Sequence, residues 1–175
     1  MTTQRWPTAW LMTDERLGDA LDEAMVRAAA AGAGILVRHH RATRAERRSL
    51  AERVVALGAP LGMARDVALA EEMGALLVHN PGADTGALAF SLSVHDDVQA
   101  AAAASRRPAL VFVSPIYPTR SHLGAPALGE VEALRLAARS EAPAIALGGV
   151  DQVRGERLMN LGFHGWAGID AWLRT

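Results

Sequence analysis

The stretch VFVSPIYPTRSH, residues Val111–His122, passes abruptly from an apolar run into a segment carrying Ser114, Thr119, Arg120, Ser121 and His122. Hydroxyls, a cation and an imidazole without an acid suit an oxyanion such as phosphate. IALGGVDQ, Ile145–Gln152, ends an apolar run in two glycines before a helical pattern. Glycine lets backbone approach an anion, and the first N–H groups of a helix point toward it with the positive end of the helix dipole. GWAGIDAW, Gly165–Trp172, repeats that arrangement one unit later. Gly148, Gly149 and the N–H groups of Ile169 and Asp170 are therefore candidate phosphate ligands, joined by Thr119 and Ser121. Asp170 suits the role if its carboxylate turns away to cap the last helix.

Composition limits the chemistry further. The chain has no cysteine, which excludes a thiol nucleophile, a disulfide and a thiolate metal site. All 18 cationic side chains are arginine. Schiff-base chemistry and a P-loop lysine are excluded with lysine itself. Net charge is −1, so overall charge does not imply a nucleic-acid surface. In RATRAERR, Arg41–Arg48, and the residues after it, Glu46 and Glu52 interleave with the arginines and no aromatic platform accompanies them. That run reads as a solvated helix face. No apolar run is long enough to span a bilayer, and MTTQRWPTAWLMTDER lacks the pattern of a secretory signal. The expectation is a cytoplasmic protein with no membrane partner.

Positioning these groups requires a repeated scaffold. Strands are predicted at Trp10–Thr13, Ile35–His39, Pro60–Met63, Leu76–His79, Leu88–Ser93, Leu110–Ser114, Ala144–Leu147 and Gly165–Gly168. Helices are predicted over Leu17–Ala31, Ala45–Leu57, Val67–Met73, Asp96–Ser105, Glu130–Ser140, Gln152–Leu161 and Ile169–Leu173. Leu17, Ala20, Leu21, Ala24, Met25 and Ala28 follow the spacing of one helix face. Gly32, Gly58, Gly74 and Gly162 each stand just past a helix. Eight strands, nearly all followed by helices, imply a parallel α/β sheet, and their number favours a compact (β/α)8 TIM barrel over a doubly wound open sheet. Between the fourth and fifth strands, Asn80–Ala87 leaves room only for a loop. Residues 1–175 read as a single domain. Barrel active sites lie at the C-terminal strand ends, and polar groups crowd there.

At these residues the chain resembles the thiamine phosphate synthase family and its thiazole-tautomerase relatives. SPIYPT is similar to the family's Gly-Pro-Ile-Phe-x-Thr, FSLSVHD to its Gly-x-Ser-x-His segment and VHN to its Val-His-Leu. The likeness runs from LMTDER, Leu11–Arg16, to GIDAW, Gly168–Trp172. It implies a (β/α)8 barrel transferase of thiamine biosynthesis that joins an aminopyrimidine methyl pyrophosphate to a thiazole phosphate, releasing pyrophosphate with Mg²⁺. The partners implied are phosphorylated small molecules.

Carried over by position, Thr119, Ser121, Gly148, Gly149, Ile169 and Asp170 would hold the thiazole phosphate. Ser93 would contact the pyrophosphate or pyrimidine, with Ser114 beside it. Arg38–Ala42 lies where the family keeps Gln-Leu-Arg-Glu-Lys. Arg38, His40 and His122 become the candidate catalytic cations, since Ala42 and His122 stand at the family's lysines. Its Asn-Asp-Arg motif, whose Asp binds Mg²⁺, aligns with Ala64-Arg65-Asp66. Asp66 and Asp84 are then the candidate metal ligands. Pro115 replaces the histidine of a tautomerase mechanism, and proline cannot move protons. A regulatory barrel holding thiazole phosphate and an isomerase of another phosphorylated heterocycle remain the alternatives.

His39, His40, His79, His95 and His122 could suggest a metal cluster. Their spacing has no zinc signature, and alternation sends His39 and His40 to opposite faces. Trp6, Trp10, Trp166 and Trp172 gather near the chain ends. They read as helix-to-barrel packing, with a homo-oligomer contact as the alternative.

Overall fold

A computed structural model describes residues 6–119 and 126–173. Eight parallel strands close in sequence order: β1 (Ala9–Met12), β2 (Gly34–Val37), β3 (Leu61–Ala64), β4 (Leu77–His79), β5 (Ala89–Val94), β6 (Leu110–Val113), β7 (Ala144–Ala146) and β8 (Gly165–Gly168). β8 returns to β1 through the pairs Ala9–Trp166, Trp10–Ala167 and Leu11–Gly168. This is the TIM barrel that the strand count favoured, and it excludes the open sheet. Around it run α1 (Leu21–Ala30), α2 (Arg44–Ala56), α3 (Val67–Glu72), α4 (Asp97–Arg106), α5 (Gly129–Arg139) and α6 (Gln152–Asn160). The connection from β4 to β5 contains no helix among the described residues.

The barrel axis is filled from opposite walls. Trp10 on β1 meets Phe112 on β6 edge-on at 6.1 Å between ring centroids, and His79 on β4 meets the same Phe112 at 5.0 Å. Gly34 on β2 makes room for this packing, because a Cβ there would stand 2.5 Å from the Trp10 indole. Trp10 and Met12 share a face of β1 by alternation. The same inward row therefore leads from the core up to the rim.

Helix starts follow their capping residues. Thr43 and Glu46 form a reciprocal capping box on α2, while Asp66, Asp96 and Asp151 cap α3, α4 and α6. Two helical expectations are corrected. Leu17–Ala31 is not one helix: a 3-10 segment over Glu15–Ala20 precedes α1, and Gly18 within that segment, at φ 48°, breaks the helical path. The apolar period persisted because Leu17 is buried by the 3-10 segment as well. Among the described residues after β8, a 3-10 turn, Asp170–Trp172, replaces the expected helix. Stacking of Trp172 on Trp166, with centroids 5.4 Å apart, and its indole N–H donating to Trp10 O at 3.2 Å pin that turn against the barrel. Arg44 and Arg48 of α2 face α3, where Arg48 donates to Glu72 at 2.7 Å and Arg44 lies 3.3 Å from Asp66.

Candidate functional site

Two adjoining cavities open at the C-terminal rim. The larger, about 390 Å³, lies between the turns after β7 and β8. Gly148, Gly149 and Val150 line one side, Gly168, Ile169 and Asp170 the other, with Thr119 and Pro118 above. Gly148 and Gly149 have φ of 92° and 65°, where a side chain is strained. A Cβ on Gly148 would lie 2.6 Å from Pro115 Cα, and one on Gly149 would lie 2.7 Å from Pro118 O. These glycines thus let the β6 loop close over the β7 turn, supported by Tyr117 N–H donating to Gly148 O at 3.0 Å.

Among the described residues, the N–H groups of Gly148, Gly149, Ile169 and Asp170 donate to no backbone carbonyl. All four residues border the 390 Å³ space, and backbone N–H groups left without carbonyl partners can receive an anion. Two arginines that sequence reasoning did not assign, Arg16 and Arg154, line the same space. Arg154, one turn into α6, reaches back to Gly149 O at 2.6 Å and lies 4.8 Å over the Tyr117 ring. Arg16, after β1, lies 3.1 Å from the Asp170 carboxylate. Asp170 therefore does not cap the last turn as expected. Ile169 occupies the N-cap position, and Arg16 instead offsets the Asp170 charge. The strand-end position of Arg16 and the helix-start position of Arg154 were the available signals.

The second cavity, about 210 Å³, sits over the barrel axis. Met12, Arg38, His40, Ala64, Arg65, His79, Asn80, Ser93, His95, Ser114 and Leu147 line it. Arg38, His40, Ser93 and Ser114 thus come together here, while Thr119, Gly148, Gly149, Ile169 and Asp170 come together in the first cavity. Leu147 lines both. Ser121 and His122 lie outside the described residues.

A fixed hydrogen-bond chain forms the floor of this mouth. Asn80 Oδ1 accepts the Ser93 N–H at 2.8 Å, which turns the Asn80 amide nitrogen toward Ser93 Oγ at 2.9 Å and His79 Nε2 at 3.2 Å. His79 Nε2 therefore accepts, and its proton sits on Nδ1, donated to Ser91 Oγ at 2.9 Å. Burial, reinforced by Arg38, His40, His95 and Arg65, pushes His79 down to about 3, so it is a neutral acceptor. Across the cavity, His95 Nδ1 donates to Ser114 O at 2.7 Å.

The cationic side is built from β1, β2 and β3. Thr13 Oγ1 accepts the Arg38 N–H at 3.0 Å and so can donate to His39 Nδ1 at 2.9 Å. Arg38 extends to the Asp14 carboxylate. His39 is buried at the Thr13 contact, whereas His40 faces the mouth, as the opposite directions of neighbouring side chains required. Burial lowers the pKa of both rings; Arg38 and Arg65 lower that of His40 further. Arg65 has left-handed backbone, φ 68°, anchored by its N–H to His79 O at 2.8 Å. No hydrogen bond or ion pair holds its guanidinium among the described residues.

Mg²⁺, the ion the family resemblance implies, favours carboxylate and phosphate oxygens. Asp66 caps α3 through Leu69 N–H at 2.9 Å and pairs with Arg44; it is absent from the cavity lining. Asp84 accepts the Gly86 N–H at 2.8 Å within the β4–β5 loop and also stands outside the lining. No group of three metal-ligating His, Cys, Asp or Glu occurs among the described residues. Arginine and histidine face the cavity where Asp66 was expected, because the turn after β3 sends Arg65 inward and commits Asp66 to the helix start. These residues do not fit a Mg²⁺ ion.

Solved structures share the architecture. Thiamine phosphate pyrophosphorylase from Pyrococcus furiosus superposes with a TM-score of 0.78 at 21% identity, over 94% of this chain and 86% of that one. The corresponding enzyme from Bacteroides thetaiotaomicron gives 0.60 at 19%, over 94% and 83%. FabK from Thermotoga maritima gives 0.69 at 15%, over 95% and 59%. At such identities these likenesses establish the fold. No curated protein sequence matches significantly. The sequence profile of thiamine monophosphate synthase, however, matches residues 9–172, nearly the whole barrel including both cavities. The chain belongs to the thiamine monophosphate synthase family, transferases of thiamine biosynthesis.

Proposed function

We propose that this protein joins an aminopyrimidine methyl pyrophosphate to a thiazole phosphate. The thiazole phosphate would sit between the β7 and β8 turns, its charge met by four backbone amides, Thr119, Arg16 and Arg154. The pyrophosphate ester would occupy the mouth against Arg38, His40, Arg65 and Ser93. Ionisation breaks the carbon–oxygen bond, and the electron pair stays on the departing pyrophosphate oxygen. The thiazole nitrogen then donates its lone pair to the methylene carbon, forming the new carbon–nitrogen bond. Negative charge grows on the leaving group as that bond breaks, so the Arg65 guanidinium and the neighbouring hydrogen-bond donors at the mouth favour the transition state. His79, neutral and already hydrogen-bonded, orients Ser93 without carrying charge.

The observation that supports this reading most is the adjacency of the two cavities, which meet at Leu147. Substrates bound in each would have their reacting ends directed at a shared boundary, which is how positioning lowers a bimolecular barrier. The test mixes both substrates with purified protein in Mg²⁺-containing buffer, with single-substrate controls. Formation of thiamine phosphate only in the complete mixture supports the reaction; thiazole phosphate binding without product would favour the regulatory reading.

A further inference from the structure

We infer that the mouth of this barrel takes the pyrophosphate without a divalent cation, with the Arg65 guanidinium supplying the local charge. The inference deepens the proposed function, since it concerns the same site, but it stands on the donor set alone. Three observations carry it. The cavity wall presents Arg38, Arg65, His40, His79 and His95 and no carboxylate. Both candidate metal ligands have other work: Asp66 caps α3 beside Arg44, and Asp84 closes its own loop. Arg38 is neutralised by Asp14, which leaves Arg65 as the guanidinium at the mouth with no carboxylate partner among the described residues.

A magnesium ion at this point would face a guanidinium and receive no protein oxygen charge to offset its loss of water. An anion meets the opposite situation. A guanidinium offers five N–H donors in a planar fork that matches phosphate oxygens pairwise. The backbone favours that use. The left-handed conformation at Arg65, fixed by its N–H to His79 O at 2.8 Å, carries the side chain over the rim while Asp66 turns to the helix. One chain reversal thus exchanges an acid for a base at the mouth.

Inorganic pyrophosphate, titrated calorimetrically in EDTA, is the probe. Saturable binding is expected in EDTA, and Arg65→Asn, which keeps a residue type tolerant of left-handed backbone, should weaken it about tenfold. Arg65→Asp should abolish binding in EDTA and restore it when Mg²⁺ is added. Thermal unfolding of both variants checks that they are folded. Binding by the native protein that requires Mg²⁺, or unchanged affinity in Arg65→Asn, would overturn the inference. Metal-free binding without thiamine phosphate formation would leave it standing while removing the proposed reaction. Product formation together with Mg²⁺-dependent pyrophosphate binding would do the reverse.

Discussion

Arg16 and Asp170, in the 3-10 segments that follow the first and last strands, form an ion pair of 3.1 Å across the seam where β8 closes on β1. Under the proposed function, the pair converts an unfavourable feature of the cavity between the β7 and β8 turns into a neutral one. Arg16→Ala would leave the Asp170 charge facing the bound dianion. Both side chains are partly exposed, so water and salt screen the effect. Thiazole phosphate affinity is expected to fall about fivefold at low salt, the scale of an exposed pair. Most of that loss should return in the double variant Arg16→Ala with Asp170→Asn. Calorimetric titration of the three proteins checks this; equal loss in the single and double variants would assign Arg16 a role independent of Asp170.

Gly148 is fixed by two demands at once: a φ of 92° and a wall of Pro115 only 2.6 Å from a hypothetical Cβ. Gly148→Ala should destabilise the fold by roughly 1–3 kcal/mol. That corresponds to about 2–4 °C of Tm for each kcal/mol in a chain of this size. It should also remove thiazole phosphate binding, since the β6 loop must move away from the turn. Calorimetric melting with and without ligand reads both effects, and a ligand-induced rise in Tm equal to the native protein's would contradict the second.

Burial of neutral His79 makes stability fall in acid. Its folded pKa, about 3, lies below the ordinary 6.5, so the unfolded chain binds the proton more readily. The contribution is fully present above pH 6.5 and is lost progressively between pH 6.5 and about 3. His39 and His40 act in the same direction. Replacing His79 with Gln should reduce the slope of stability against pH in that window by up to about 1.4 kcal/mol per unit. Urea denaturation across the range gives the slope; parallel curves for the two proteins would show that His79 is charged when folded.

Asp66 serves α3 and not the mouth. Asp66→Ala should therefore cost about 1 kcal/mol of stability, the usual loss for a helix cap. Pyrophosphate affinity should stay within about twofold, well under the tenfold change of 1.4 kcal/mol. A large loss of affinity with unchanged stability would return Asp66 to the ligand shell.

The barrel was legible because its signals are local and repeated. Apolar runs of strand length, helical periods and glycines beyond helix ends recur through the chain, and those glycines do take φ of 70°, 69°, 64° and 122° at Gly32, Gly58, Gly74 and Gly162. The turns after β7 and β8 were legible as neighbours for a related reason, since each carries glycine at the end of an apolar run. Gly18 was harder to read, because the Leu17 to Ala28 spacing fits one continuous helix and only the backbone angle reveals the break. The Arg65–Asp66 pair was opaque for a deeper reason. Which of two adjacent side chains faces a cavity depends on one dihedral, and that dihedral is set by a carbonyl on the neighbouring strand, His79 O. Likewise, pairing of Arg16 with Asp170 joins residues more than 150 positions apart, which only barrel closure brings together.

Amide NMR of the labelled protein titrated with thiazole phosphate examines the grip itself. Signals of Gly148, Gly149, Ile169 and Asp170 should shift together along one saturation curve, because a single dianion accepts from both turns. Shifts confined to one turn, or to neither while the ligand binds elsewhere, would contradict the account.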